Sequence, residues 1–236
     1  MRLIRSLLAL MVGFAVCWGF AERIFHVITQ PMRAAYPKIQ FIYTEPTEAF
    51  FLYMKMAFFV GIFVAAPYLL YQVWAFIAPG LYAHEKAYAV PFILFGSLFF
   101  ILGGVFGHFI LFPMTFRFLG QYAGEDMEFL PKVSEYYSFY SWFLLGLGIC
   151  FQLPVVIFVL SRIGLVTAGF LLRSFKYAAL GAFVVSAVIT PSGDMVTQTA
   201  LALPIIGLYL IGVVVAWLFG RPRRREVAEV SVGAGS

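Results

Sequence analysis

The sequence predicts an all-α, polytopic membrane protein with six transmembrane helices, and three observations carry that prediction. Of its 236 residues 63% are hydrophobic and only 11% charged, less than half the roughly 25% of a soluble domain. The charges fall in clusters separated by uncharged runs long enough to cross a bilayer. Those runs are continuous in Leu, Ile, Val, Phe, Ala and Gly with no alternation at period two, which excludes a barrel.

The first span covers about residues 3 to 21. Its text, MRLIRSLLALMVGFAVCWG, has the basic start and apolar middle of a secretory signal peptide. No clear small-x-small cleavage site precedes a mature domain, and removal would leave an odd helix count, so the span is expected to stay. Residues 22 to 54 follow as an outer loop containing ERIFHVITQPMRAAYP, an amphipathic piece. Its Ile24, Phe25, Ile28 and Met32 are expected to lie flat in the headgroup region while Arg23 and Arg33 face water.

The second span, about 55 to 77, should end near Pro79 and Gly80. A very short inner turn holding Tyr82, His84, Glu85 and Lys86 leads into the third span, about 88 to 112. A second outer loop, 113 to 138, opens with Pro113, is acidic in its middle and returns through EYYSFYSW. That stretch reads as an interfacial aromatic belt at the entry to span four, about 139 to 160. Span five, about 177 to 190, offers only about 14 residues, or about 21 Å of helix, against roughly 30 Å of hydrocarbon. The connection TPSGDMVTQ is a tight outer turn in which Ser192 or Asp194 can cap span six, about 199 to 219. The chain reads as one transmembrane domain over 1–220 and a basic, then flexible, cytoplasmic tail over 221–236. The basic residues of that tail suffice as a topology anchor and can also meet acidic lipid.

Charge sets the expected orientation. Ten Lys and Arg fall on the side of the termini, from Arg2, Arg5 and Lys86 to Arg225, against six on the other (Arg23, Arg33, Lys38, Lys55, Arg117 and Lys132). Both ends are therefore expected in the cytoplasm. The net charge of +5 is spread over span ends and forms no stripe, so nucleic acid is not an expected partner. Cys17 and Cys150 lie alone in apolar runs, and His26, His84 and His108 are far apart, so neither a disulfide framework nor a metal centre is suggested. No nucleophile with a base and no phosphate-cradling loop is present; an enzyme is not expected, nor a cofactor.

Three residues stand out. Glu85 in the inner turn is a fixed carboxylate on a mostly basic side, suited to bind a guanidinium through paired N–H to O bonds. Its other reading is an acid favouring the dipole of span three beside Lys86. Gln152, in CFQLPVV, either satisfies a backbone carbonyl freed by Pro154 or marks a polar point on a path or helix interface. His108, in GGVFGHFILFP, is the ionisable group deep in an apolar run and is expected to be satisfied at the outer interface, with Gly103, Gly104 and Gly107 marking close helix packing.

The stretches YQVWAFIAPGLYAHEK, TEPTEAFFLYMKM, FQLPV, TPSGD and QTALALP, in that order over nearly the whole chain, resemble TatC, the receptor subunit of the twin-arginine protein translocase. The resemblance implies a concave, glove-like arrangement of six helices, both ends in the cytoplasm, with spans five and six unusually short. It implies that Glu85 holds the paired arginines of a substrate's signal peptide, with Phe76, Leu81 and Tyr82 shaping that surface. Gln152 falls where the family has a membrane-buried Glu or Gln on the concave side; Pro46, Glu48 and Phe50 match an outer motif, and Asp194 an acid in the last outer turn. Implied partners are the single-span subunits TatA and TatB, further copies of this chain, twin-arginine signal peptides and the bilayer of the bacterial inner membrane. The family's opening H-L-x-E-L-R-x-R segment, whose Glu shares in arginine recognition, is not matched; Arg2 and Arg5 fall where it ends. His108 stands where an aromatic hydroxyl is expected.

Two functions are therefore weighed. The first is a translocase receptor moving folded proteins with the proton-motive force. The second is a small-solute transporter with Gln152 and His108 lining its path, weakened by the lack of an internal repeat and of a buried ion pair.

Overall fold

The computed structural model describes residues 2–36, 39, 41–42, 44–77, 89–120, 130–190 and 194–220. Among them there is no strand, only an isolated parallel bridge between Ile42 and Lys132. Ten α-helices are described: α1 (Arg2–Trp18), α2 (Ala21–Ala35), α3 (Glu48–Ile77), α4 (Ala89–Phe106), α5 (Phe112–Gly120), α6 (Val133–Cys150), α7 (Leu153–Arg162), α8 (Ala168–Arg173), α9 (Phe175–Ile189) and α10 (Met195–Phe219). A π-turn, Gly107–Leu111, joins α4 to α5. Four stretches are long and apolar enough to cross a membrane: Glu48–Ala75, Ile93–Leu119, Val133–Arg162 and Met195–Phe219. The pair α1 and α2 passes the same test together but is bent by 86°, and α9 is a shorter apolar helix.

Each departure from the expected boundaries has a local cause. The second span starts at Glu48 rather than near Lys55, because the Glu48 carboxylate reaches back to the backbone N–H of Thr44 at 2.8 Å and favours the helix N-terminus. Pro113 does not open a loop. The π-turn ahead of it, closed by the Phe112 N–H to the Gly107 carbonyl, absorbs the turn that the ring would otherwise break, and the helix runs on to Gly120. The break between α6 and α7 falls at Phe151 and Gln152, just ahead of Pro154, which sits at the helix start where its missing N–H costs least. Shortness is confined to α9, whose 15 residues give about 22 Å. The 25 residues of α10 span about 37 Å, so the implied short sixth helix is not found: the helix already starts at Met195, because Asp194 caps it.

Helix α7 ends in a Schellman turn. Gly164 adopts φ +79° while the Leu165 N–H reaches the Leu160 carbonyl at 3.0 Å and the Gly164 N–H reaches Ser161 at 3.2 Å. Helices α1 and α3 cross at two glycines: a Cβ on Gly13 would lie 2.8 Å from the Gly61 carbonyl oxygen. Gly103, as expected, lets α4 approach α6, where a Cβ would lie 2.9 Å from the Leu147 carbonyl oxygen.

The main core joins α2, α3, α5, α6, α9 and α10 around Met32, Met56, Phe112, Phe143, Leu147 and Leu201, all essentially inaccessible. Two expectations change here. The apolar face of α2 does not lie in the headgroups: Ile28 and Met32 are buried in this core, with Ile24 and Phe25 packed against it. A protein surface buries that stripe more completely than a lipid boundary would. Nor are Tyr136, Tyr137 and Tyr140 an interfacial belt. All three are buried, while Trp142 of the same stretch is exposed.

Candidate functional site

The inner turn is framed by the ends of α3 and α4. Glu85, Leu81 and Tyr82 lie outside the described residues, and Phe76 is placed only by its backbone in the last turn of α3. Two residues earlier Trp74 is buried against Val155 and Val159 of α7, which holds the end of α3 to the fourth span. The Arg2 guanidinium donates to the Ala75 carbonyl, fastening the start of α1 to the same end.

Gln152 sits at the break between α6 and α7 and donates its side-chain amide to the Gly96 carbonyl of α4 at 2.9 Å. Of its two readings, the structure places the amide at a helix interface; it does not serve a carbonyl of its own span. Gly96 makes room for it, since a Cβ there would come 3.2 Å from Gln152 Oε1.

His108 is not interfacial. It is buried in the π-turn, with Nδ1 2.7 Å from the Tyr140 hydroxyl, and its Nε2 is buried without a hydrogen-bond partner. Its ring lies edge to face on Phe109. His108 and Gln152 are not brought together: the histidine meets α6 at Tyr140, about 18 Å along the helix axis before the glutamine.

Tyr140 belongs to a set that sequence reasoning missed. Tyr136 donates to the Ile28 carbonyl of α2 at 2.7 Å, and Tyr137 to the Lys55 carbonyl of α3 at 2.6 Å. With Tyr140 on the π-turn, one face of α6 thus ties three other elements, and each buried hydroxyl finds a polar partner as low dielectric demands. The spacing of Tyr136, Tyr137 and Tyr140 on one helix face was the available signal.

The outer motif is local. Glu48 is buried, and its Oε2 also lies 3.4 Å from the Glu45 N–H and the Thr44 hydroxyl. Pro46 is exposed in the turn before it. Phe50 faces outward and stacks edge to face on Trp18 of α1 at 5.8 Å. Asp194 caps α10, its Oδ2 accepting from the Thr197 N–H at 2.6 Å. Ser192, the other capping candidate, lies outside the described residues.

These elements define a multi-pass, all-helical membrane protein in which Gln152, His108 and the buried tyrosines of α6 hold helix to helix while Glu48 and Asp194 serve their own helix starts. The comparisons with known proteins go further. A family profile described as "Sec-independent protein translocase protein (TatC)" matches residues 1–204. The chain is 39% identical to the TatC protein of Koribacter versatilis, over 98% of this chain and 88% of that one. It is 36% identical to that of Escherichia coli K12, over 95% and 88%. A crystal structure of the twin-arginine translocase receptor TatC superposes with a TM-score of 0.80 at 36% identity, covering 93% of this chain and 96% of that one. The chain belongs to the TatC family of Sec-independent protein translocase proteins.

Proposed function

We propose that the protein is the receptor and core component of a twin-arginine translocase, binding twin-arginine signal peptides at its cytoplasmic face and directing proton-motive-force-driven transport of folded proteins. The single observation that carries this is the likeness, over almost the whole of both chains, to a solved structure titled as the twin-arginine translocase receptor. The same likeness favours a component of a transport complex over an enzyme, and it lends nothing to small-solute transport.

In this reading both termini and the turn between α3 and α4 face the cytoplasm, which the excess of Lys and Arg on that side supports. Residues 1–220 act as one domain in the bacterial inner membrane, and the basic tail stays inside. Glu85 accepts the paired guanidinium N–H groups, a geometry that Lys residues in the signal could not reproduce. Phe76, Leu81 and Tyr82 flank it, while Arg2 and Trp74 keep the end of α3 in place. The hydrophobic part of the signal runs toward Gln152, and the single-span subunits TatA and TatB assemble with further copies of this chain around it.

The test is site-specific photocrosslinking of a twin-arginine signal peptide from positions flanking Glu85, in membranes containing the full set of partner subunits. Crosslinks that vanish when the arginine pair becomes a lysine pair, and that drop in Glu85→Ala, are the expected result. Unchanged crosslinking and export in Glu85→Ala would remove the role assigned to that carboxylate.

A further inference from the structure

We propose that the corner between α8 and α9 binds one anionic phospholipid, its phosphodiester held by Arg173 and Lys176 inside the leaflet that meets the ends of α7 and α10. In the orientation proposed above, that leaflet is the cytoplasmic one.

Helices α7 and α10 finish at one level, because Arg162 of α7 donates to the Phe219 carbonyl of α10 at 3.0 Å. The chain after α7 then turns back along both of them. Leu171 of α8 is buried against Ile157 of α7 and Val213 and Ala216 of α10, and its carbonyl accepts from the Tyr209 hydroxyl at 2.8 Å. Phe175, which opens α9, packs on the Tyr209 ring with centroids 6.4 Å apart. Tyr209 lies about 15 Å of helix before Phe219. Over that length α10 turns Leu210, Ile211, Val214, Trp217 and Leu218 outward, an apolar surface for hydrocarbon to cover. The corner is therefore set into the leaflet, and the residues flanking Arg173 there include the exposed Phe170 and Leu172.

Two cations stand at that depth without an anion. Arg173 and Lys176 are exposed and form no ion pair among the described residues; the Lys176 Nζ lies over the Tyr177 ring, 5.0 Å from its centroid. The sequence holds no carboxylate between Glu135 and Asp194, so this segment supplies none. Lys176 also falls in the first turn of α9, at the positive end of the helix dipole, where a cation is disfavoured and an anion favoured, and no acid occupies that turn. Hydrocarbon cannot solvate either charge. Long stems carry the charged heads part of the way to the boundary, and a lipid phosphate drawn inward closes the rest of the gap.

The same imbalance sets specificity. Phosphatidylglycerol brings a phosphate alone, whereas the ammonium of phosphatidylethanolamine or phosphatidylcholine would add a third cation with no carboxylate of this segment to meet it. The site is built by α7, α8, α9 and α10 and does not depend on what Glu85 binds.

The test is native mass spectrometry of the full-length protein, without signal peptide, released from bilayers holding equal amounts of phosphatidylglycerol, phosphatidylethanolamine and phosphatidylcholine. Retained phosphatidylglycerol, in preference to both others, is expected. Retention should fall about fivefold in Arg173→Gln or Lys176→Gln, the contribution of one cation beside an anionic leaflet, and about 25-fold in the double variant, with the unfolding temperature kept. Arg117→Gln, which removes an exposed cation on α5, should leave it unchanged. Equal retention of either competing lipid, no retained lipid, retention unchanged in the double variant, or an equal fall in Arg117→Gln would each overturn the proposal.

Discussion

The Tyr140 hydroxyl lies 2.7 Å from Nδ1 of His108, and the two rings stand perpendicular with centroids 6.0 Å apart. This contact joins α6 to the π-turn between α4 and α5, where the backbone is least regular. Tyr140→Phe keeps the ring that packs on Phe112 and removes only the hydroxyl. It leaves a buried imidazole nitrogen without that partner, a loss of about 1–3 kcal/mol. Thermal unfolding in detergent should show it. His108→Phe made on top of Tyr140→Phe should cost less than the sum of the two single changes, because the orphaned nitrogen leaves as well.

Gln152 and Gly96 form a second pair whose parts are separable. Gly96→Ala puts a methyl 3.2 Å from Gln152 Oε1 and 3.3 Å from Leu70 Cδ1, so the amide must shift and its 2.9 Å bond to the Gly96 carbonyl weakens. Gln152→Leu removes the bond outright at about 0.5–1.5 kcal/mol, since that carbonyl also belongs to a helix. If the pair acts as described, Gly96→Ala should cost less in the Gln152→Leu background than in the wild type. Unfolding temperatures of the four proteins settle it.

What was legible in the sequence was mostly local. The length of α9 follows from the run YAALGAFVVSAVI, bounded by Lys176 and Pro191, and the Asp194 cap from a side chain three residues before its partner N–H. The spacing of Tyr136, Tyr137 and Tyr140 puts them on one helix face, but their partners were not legible, because these lie 108, 82 and 32 residues away and a belt and a buried seam can share that spacing. The fate of α2 was half legible. Its apolar stripe is plain, but whether protein or lipid covers it depends on Phe112, Tyr136 and the rest of the core that closes beneath it. Glu85 was singled out by its place between two helices, and the described residues frame that place at Trp74 and Ala75.

The Asp194 cap gives a prediction confined to one helix end. Asp194→Ala removes the acceptor that holds the Thr197 N–H at 2.6 Å and should cost about 1 kcal/mol, whereas Asp194→Asn keeps a capping oxygen and most of the stability. Hydrogen exchange should localise the loss to the first turn of α10. Faster exchange spread over the whole of α10 would mean that the carboxylate does more than cap.

Helix α1 offers a test of how independent a span can be. It packs chiefly on α3, through a crossing where the Gly13 Cα hydrogens face the Gly61 carbonyl, and most of its other face is exposed from Leu3 to Val16. Gly13→Leu places a side chain where even a Cβ meets backbone at 2.8 Å, and backbone cannot move aside as a flexible side chain can. The helices must separate. Because the main core contains no residue of α1, the rest of the fold should keep its unfolding transition while α1 loosens. Distance measurements between spin labels on α1 and α3 should broaden and lengthen in Gly13→Leu, with labels on α3 and α6 unchanged. A matching shift in the α3 to α6 distance would show that the first span is part of the core after all.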